Sequence, residues 1–346
     1  VRILIATDAW QPQVNGVVRT LSTTVRQLTQ LGHDVKVIEP SLFLNFPCVV
    51  YPEIHLALPA ERPMQLMLRR FAPDHIHIAT EGPIGFQMRR LCQAQQLRFT
   101  TSYHTKFPEY LWELLGVPSS LSYRLLRWFH APAAAIMVST PSLEHELREW
   151  GFRNRLLRWS RAVDTGVFHP RPQTYPAHER PIQMYVGRVS REKNIDAFLR
   201  LETRGTKYVI GDGPARAELQ QKYPQVRFLG PLSGEPLAEA YANADVFVFP
   251  SRTDTFGLVM LEALASGVPV AAYPVPGPID IVRPPTTGAL HDDLAVAVEM
   301  ALRTSIPEAC VALASQYTWE KCTRQFLDNL VPARITQLVS MPTLRA

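Results

Sequence analysis

Residues 2–39 read RILIATDAWQPQVNGVVRTLSTTVRQLTQLGHDVKVIE. Arg2–Asp8 is an apolar run of strand length, and His33–Glu39 is a second. Between them Val17, Leu21, Val25 and Leu28 recur at helical spacing, and Leu31-Gly32-His33-Asp34 is a turn signal that ends the helix. This is one strand–helix–strand unit. Repeated units of this kind build a parallel sheet covered by helices on both faces. The rhythm continues with strand-like runs at 75–80, 99–104, 134–140 and 157–164. It stops at residues 168–181, FHPRPQTYPAHERP, whose prolines continue neither a helix nor a central strand. Beyond that it restarts, with strands at 182–188, 208–211, 226–229, 245–250 and 269–273. Helices are read at 194–203, 216–222, 235–243, 258–266, 292–303 and 319–330. The pattern predicts two α/β domains, at 1–170 and 182–330, joined by a stiff hinge at 171–181. The tail at 331–346 is expected to pack back on the first domain.

Composition agrees with this reading and excludes others. Of 346 residues, 46% are apolar and 19% charged, which fits a globular chain and excludes a disordered, collagen-like or coiled-coil one. No apolar run approaches the ~18 residues of a membrane span. The opening strand carries no charged leader, so a signal peptide is not expected. The cysteines (Cys48, Cys92, Cys310, Cys322) form no Cys-x-x-Cys pair, which points away from zinc or a redox couple and toward a reducing, cytoplasmic setting. The net charge of +5 is uneven: residues 61–161 carry fourteen basic and eight acidic side chains, while the rest of the chain is nearly balanced. That is too mild for a nucleic-acid-binding protein. It leaves either an ordinary solvated face or contact with an anionic membrane surface.

Ligands of open α/β sheets bind beyond the carboxyl ends of the strands, so the polar residues there are the candidates. The first strand ends at Asp8, followed by Trp10 and by Asn15-Gly16 at a helix start, where backbone N–H groups are free. His104 and Lys106 follow the fourth strand. Gly187-Arg188 ends the strand after the hinge, and Lys193 lies five residues on. Arg forks onto paired phosphate oxygens and Lys acts as a point charge, so the pair suits a diphosphate. Tyr208–Pro214 (YVIGDGP) lacks the third glycine of a dinucleotide fingerprint, since position 216 is Arg. Residues 249–267 read FPSRTDTFGLVMLEALASG. Asp254 stands at the helix entry beside the exposed backbone of Phe256-Gly257-Leu258. Glu262 lies eight residues on, near the same side of that helix. Acceptor carboxylates suit hydroxyls and the cations suit phosphates. Together they describe a ligand with a diphosphate centre and hydroxylated ends, a nucleotide-sugar.

On these residues, together with Tyr103-His104-Thr105, Val163-Asp164-Thr165 and Gly211-Asp212-Gly213-Pro214, the chain resembles retaining glycosyltransferase family 4. The subgroup most similar in look comprises sulfoquinovosyl-diacylglycerol synthases and GDP-mannose-dependent α-mannosyltransferases. The resemblance implies the GT-B fold, two Rossmann-like domains facing across a cleft. It also implies donor contacts at Asn15, Gly16, Gly187, Gly211, Asp254, Phe256, Gly257, Leu258 and Glu262. Arg188 and Lys193 would hold the diphosphate, Glu262 the ribose, Asp254 the transferred sugar, and His104 the sugar near the reacting carbon. Position 254 is Asp where the family commonly has Glu, which bears on the choice of donor sugar. No Asp-x-Asp motif ends a strand, so transfer without a metal or other cofactor is expected.

The acceptor side is less defined: Asp8, Trp10 and Lys106 are its candidates. Residues 122–132 (SYRLLRWFHAP) and 64–71 (MQLMLRRF) are basic amphipathic stretches that either pack on the sheet or dock on an anionic membrane. A lipid such as diacylglycerol is the leading acceptor, with a peripheral place on the inner face of the plasma membrane. A soluble glycan acceptor, and a nucleotide-sugar-binding module without turnover, are the alternatives.

Overall fold

The computed structural model describes residues 1–13, 15–47, 55–109, 112 and 116–334; Cys48 and tail positions 335–346 lie outside them. Two six-stranded sheets form the molecule. The first contains β1 (Arg2–Ala6), β2 (Asp34–Ile38), β5 (His75–Ile78), β6 (Thr100–Ser102), β7 (Ala135–Val138) and β8 (Leu156–Arg158) in the order β2-β1-β5-β6-β7-β8. The short strands β3 (Asn45–Pro47) and β4 (His55–Ala57) pair antiparallel beside it. The second sheet contains β9 (Ile182–Val186), β10 (Thr206–Ile210), β11 (Arg227–Gly230), β12 (Val246–Phe249), β13 (Val270–Ala272) and β14 (Gly288–Leu290), in the order β11-β10-β9-β12-β13-β14. Every pair within the two large sheets is parallel.

Parallel strands buried on both faces need apolar residues at successive positions, and β1 supplies them. Ile3 and Ile5 enter one core with Leu21, Leu28 and Trp159, while Leu4 and Ala6 enter the opposite one with Ile76, Ile78 and Met88. In the second domain Ile182, Met184 and Val186 face one core and Tyr185 the other. The strand order reverses between β1 and β5 in the first sheet and between β9 and β12 in the second, and a crevice opens at such a switch point.

The division between domains differs from the sequence reading. Trp159 and Ala162 belong to the first core, whereas Val163 and Phe168 belong to the second. The proline-rich 171–181 run is fastened to the second domain: Asn243 Oδ1 accepts from the backbone N–H groups of Thr174 (2.6 Å) and Tyr175 (2.8 Å), and Arg171 pairs with Glu235 at 2.7 Å. Helix Trp319–Asn329 returns to the first domain, burying Cys322 and Phe326 against Ile3, Ile5 and Leu21. Residues 330–334 stay there, with Ala333 N–H bonded to Asp74 O at 2.8 Å. The two crossings touch where Val163 N–H donates to Tyr317 O at 3.0 Å.

Candidate active site

The carboxyl ends of both sheets carry most of the residues singled out in the sequence. In the first domain, Asp8 follows β1 and is nearly buried. Its Oδ1 accepts from Ile84 N–H (2.8 Å), and its Oδ2 from the Thr80 hydroxyl (2.8 Å) and Gly85 N–H (3.3 Å). Asp8 therefore holds the start of helix Pro83–Ala94 against the sheet. Burial pushes its carboxyl up, against the pull of those hydrogen bonds. Trp10 packs beside the first-domain core. Asn15 caps helix Gly16–Gln30, its Oδ1 accepting from Val18 N–H at 2.9 Å.

His104 and Lys106 lie in the loop after β6, at the interface with the second domain. Thr255 Oγ1 donates to His104 O at 2.7 Å, and Ser139 Oγ donates to Thr255 O at 2.9 Å. Lys106 is buried and pairs with Glu146 at 2.6 Å, and Tyr123 OH donates to Glu109 at 2.8 Å beside it. The His104 ring accepts at Nδ1 from Arg161 Nη2 at 2.8 Å. Burial first, then Arg161 and then His77, hold the imidazole well below its usual range, so it is neutral.

In the second domain, Gly187 and Arg188 follow β9. A Cβ on Gly211 would fall 1.9 Å from Gly187 O, so only glycine allows the two turns to stack. Arg188 pairs with Glu192 at 3.5 Å. Lys193 Nζ reaches Asp254 Oδ1 at 2.7 Å. Burial pushes the Asp254 carboxyl up, but Lys193, Ser251 and Lys106 outweigh it and hold it below the usual range. Arg191, Glu192, Asn194, Arg252 and Thr253, the chain neighbours of Lys193 and Asp254, line an open groove.

Two local readings change. The helix after Lys193 is only Ile195–Leu199, preceded by a left-handed Asn194 (φ +52°). Asp254 and Glu262 do not share a helix face, because Gly257 at φ +84° delays the helix to Leu258–Ala265 and leaves Asp254 in the loop. The Phe256 side chain is buried in the second core, so only its backbone is offered at the loop. Gly16 and Leu258 meet across the cleft: a Cβ on Gly16 would lie 3.4 Å from Leu258 Cδ1.

Glu262 is buried in its helix. Tyr241 OH donates to its Oε2 at 3.1 Å, and Arg19 of the opposite domain pairs with its Oε1. Burial pushes its carboxyl up, and Arg19 and Tyr241 pull only part of the way back. Arg19, Arg161 and Tyr241 thus adjoin the candidate residues, and the sequence reading missed them; the stretch holding Thr255 was read for its backbone, and its side chain adds the contact to His104 O. A strand-end signal existed for Arg161, three residues past the end of β8, but the expected strand at 157–164 ran through it. Among the described residues, no group of three or more His, Cys, Asp or Glu is placed to hold a metal ion.

Comparison with known proteins agrees with this architecture. The family pattern described as Glycosyltransferase Family 4 matches residues 14–167, and that described as Glycosyl transferases group 1 matches residues 180–304. A GDP-mannose-dependent alpha-mannosyltransferase of Corynebacterium glutamicum is 30% identical over 95% of this chain and 88% of its own length. The sulfoquinovosyl transferase of Arabidopsis thaliana is 30% identical over 78% of this chain and 58% of its own length. Among solved structures, sucrose-phosphate synthase from Thermosynechococcus elongatus superposes with a TM-score of 0.78 at 21% identity, over 94% of this chain and 97% of its own.

Proposed function

The chain belongs to glycosyltransferase family 4 and has the GT-B fold, and on that premise we propose that it moves a hexose from a UDP- or GDP-linked donor to a membrane-lipid hydroxyl with retention. The observation that carries the reading is the meeting of Lys193 and Asp254 with the His104–Thr255 contact at the domain interface. A cation for phosphate, a carboxylate for sugar hydroxyls and a neutral imidazole are gathered there from both domains. Arg188 and Lys193 take the diphosphate, Asp254 and His104 the sugar, and Glu262 the ribose. The anomeric carbon–phosphate oxygen bond breaks as the acceptor oxygen bonds to that carbon on the same face. The acceptor proton passes to the departing phosphate oxygen, whose growing charge the two cations offset. The residues that serve in this scheme bind, orient and neutralise charge, and no metal is assigned a role.

A lipid acceptor is supported by helix Ser119–His130, which is apolar on two sides. Tyr123, Leu126 and Phe129 face the core, whereas Leu121, Leu125 and Trp128 are 55%, 52% and 53% exposed, with Arg124 exposed among them. An apolar ridge flanked by Arg suits the interface of an anionic bilayer. Exposed Leu66, Arg69 and Arg70 of helix Glu61–Phe71 add to it. Among the described residues no helix is long and apolar enough to cross a membrane, and the contact proposed here is a peripheral one through this ridge. The relatives named above include one that acts with GDP-mannose and one that transfers sulfoquinovose.

The test is a mass-spectrometric transfer assay. Purified protein is given UDP-glucose, UDP-galactose, UDP-glucuronate or GDP-mannose, with and without diacylglycerol in anionic liposomes. A glycolipid from one donor is the expected product, with α-configuration by NMR. Donor hydrolysis without glycolipid points to a soluble glycan acceptor. Tight donor binding with no turnover overturns the reading in favour of a binding module.

A further inference from the structure

Three histidines are buried in the first domain, and they differ in one respect. His77 places Nδ1 2.9 Å from Thr100 Oγ1 and Nε2 2.9 Å from Ser102 Oγ. His130 places Nδ1 2.8 Å from Thr101 Oγ1 and Nε2 3.1 Å from Glu81 Oε1. His104 has only its Nδ1 engaged, and its Nε2 is buried with no partner among the described residues. The group on Nδ1 is a guanidinium, which has donors and no acceptor. Arg161 is itself buried, and its Nη1 is anchored on Trp159 O (2.9 Å) and Ser160 O (3.3 Å) where the chain leaves β8. No carboxylate pairs with it among the described residues. Nη2 therefore has a fixed direction, toward His104 Nδ1.

We infer that Arg161 is a positioning residue: it takes the Nδ1 lone pair of His104 and so locks the imidazole neutral, with its proton on Nε2. His104 then offers its ligand one hydrogen-bond donor and cannot accept a proton without breaking the Arg161 contact. A hydroxyl oxygen is the chemistry that fits such a donor, and under the transfer reading, on which this part of the inference rests, that oxygen belongs to the bound sugar. The tautomer itself does not depend on that reading.

The surroundings leave the neutral form unopposed. His77, from β5, is pushed down to about 3 by burial and is neutral near pH 7. Cys322, from helix Trp319–Asn329 behind Arg161, is pushed up to about 11 by burial and is also neutral. Arg161, brought down by burial to about 10, stays charged. Lys106 on the His104 loop is paired with Glu146, and Lys193 of the facing domain with Asp254. Trp159 lies edge-on to the ring at a centroid distance of 5.5 Å. Among the described residues Arg161 is thus the one unbalanced charge against the imidazole, and it disfavours a second proton.

Long-range 1H–15N correlation NMR on protein labelled at histidine reads the tautomer without any substrate. The expected spectrum has a protonated Nε2 and an unprotonated Nδ1 on His104, unchanged from pH 6 to pH 8. In Arg161→Met the donor and the charge are both gone, and the His104 titration moves up by about one pH unit or more. The kcat–pH profile of that variant gains a second acid limb, at higher pH than the one Asp254 sets in wild type, while nucleoside diphosphate affinity stays unchanged. Arg161→Lys, which keeps a charged donor, restores the wild-type profile. A wild-type His104 carrying its proton on Nδ1, or on both nitrogens at pH 7, overturns the inference, and this holds even if Arg161→Met does not fold. A locked Nε2–H tautomer in a protein that transfers no sugar supports the role of Arg161 and counts against the transfer reading alone.

Discussion

Lys193→Ala separates chemistry from stability at the diphosphate site. The Lys193 and Asp254 side chains are 22% and 21% exposed, and their charged atoms are 2.7 Å apart. A pair this close to solvent is screened and worth about 1 kcal/mol or less to the fold. At the usual scaling for domains of this size that is a loss of roughly 2–4 °C in Tm. The expected effect on turnover is far larger. Removing one preorganised donor from a site where negative charge develops costs about 2.7–4 kcal/mol of transition-state stabilisation, a fall of about 10²–10³ in kcat. A second readout comes from Asp254. Burial pushes its carboxyl up, and Lys193 is the foremost of the groups that outweigh burial and hold it low. Without Lys193 the carboxyl rises, so the acid limb of the kcat–pH profile moves to higher pH. Lys193→Arg keeps the charge and should retain most of the rate. Steady-state transfer kinetics at saturating donor, with thermal denaturation as the control, measure all of this. A Lys193→Ala protein that keeps kcat within about fivefold of wild type, against the expected 10²–10³, refutes the assignment of Lys193 to the leaving diphosphate. A fall in kcat accompanied by a large loss of Tm would show instead that the pair is structural.

The exposed ridge gives a second expectation. Leu121→Ser with Leu125→Ser removes two half-exposed leucines without touching the buried face of their helix. At about 1 kcal/mol for each half-buried side chain, binding to anionic vesicles should weaken by roughly tenfold to thirtyfold in a flotation assay, with unfolding unchanged. Equal vesicle binding by this double variant would count against docking through the ridge. Stability should also fall in mild acid. His77 is neutral in the folded protein, its value brought down to about 3 by burial, while in the unfolded chain it titrates near 6.5. A lowered histidine value means the unfolded state binds the extra proton, so the stability is present above about pH 6.5 and lost below it. From pH 7 to pH 5 the loss from this group is about 2 kcal/mol. Urea unfolding of wild type and His77→Asn at both pH values checks it, since the variant should lack that part of the decline.

The sequence revealed what each domain holds alone and concealed what the two hold together. β1 and β9 were legible because strands covered on both faces are apolar at nearly every position, and their ends then pointed to Asp8, Arg188 and Lys193, while the end of β6 pointed to His104. The hairpin of β3 and β4 and the three-residue β14 carry too few residues for a pattern. Helix Trp319–Asn329 was legible as a helix, yet its apolar stripe says only that it is covered and not by which domain. Its contacts with Ile3 and Leu21 are more than 290 residues away in sequence. The same limit explains the missed partners. Arg19 lies on a helix in one domain and Glu262 on a helix in the other, and nothing in either stretch names its opposite. What joins the domains at this level is polar: Arg19 to Glu262, Thr255 to His104 O, Ser139 to Thr255 O and Ser142 to Asp280. Hydrogen bonds and ion pairs exchange with water at small net cost, whereas an apolar core does not. Beside this polar interface the two crossings of the chain are themselves bonded, Val163 N–H to Tyr317 O. Glu262 thus meets Arg19 across the domain interface at the carboxylate that the proposed function assigns to ribose, so the ion pair and the ribose compete for one group, whereas Asp254 is paired within its own domain.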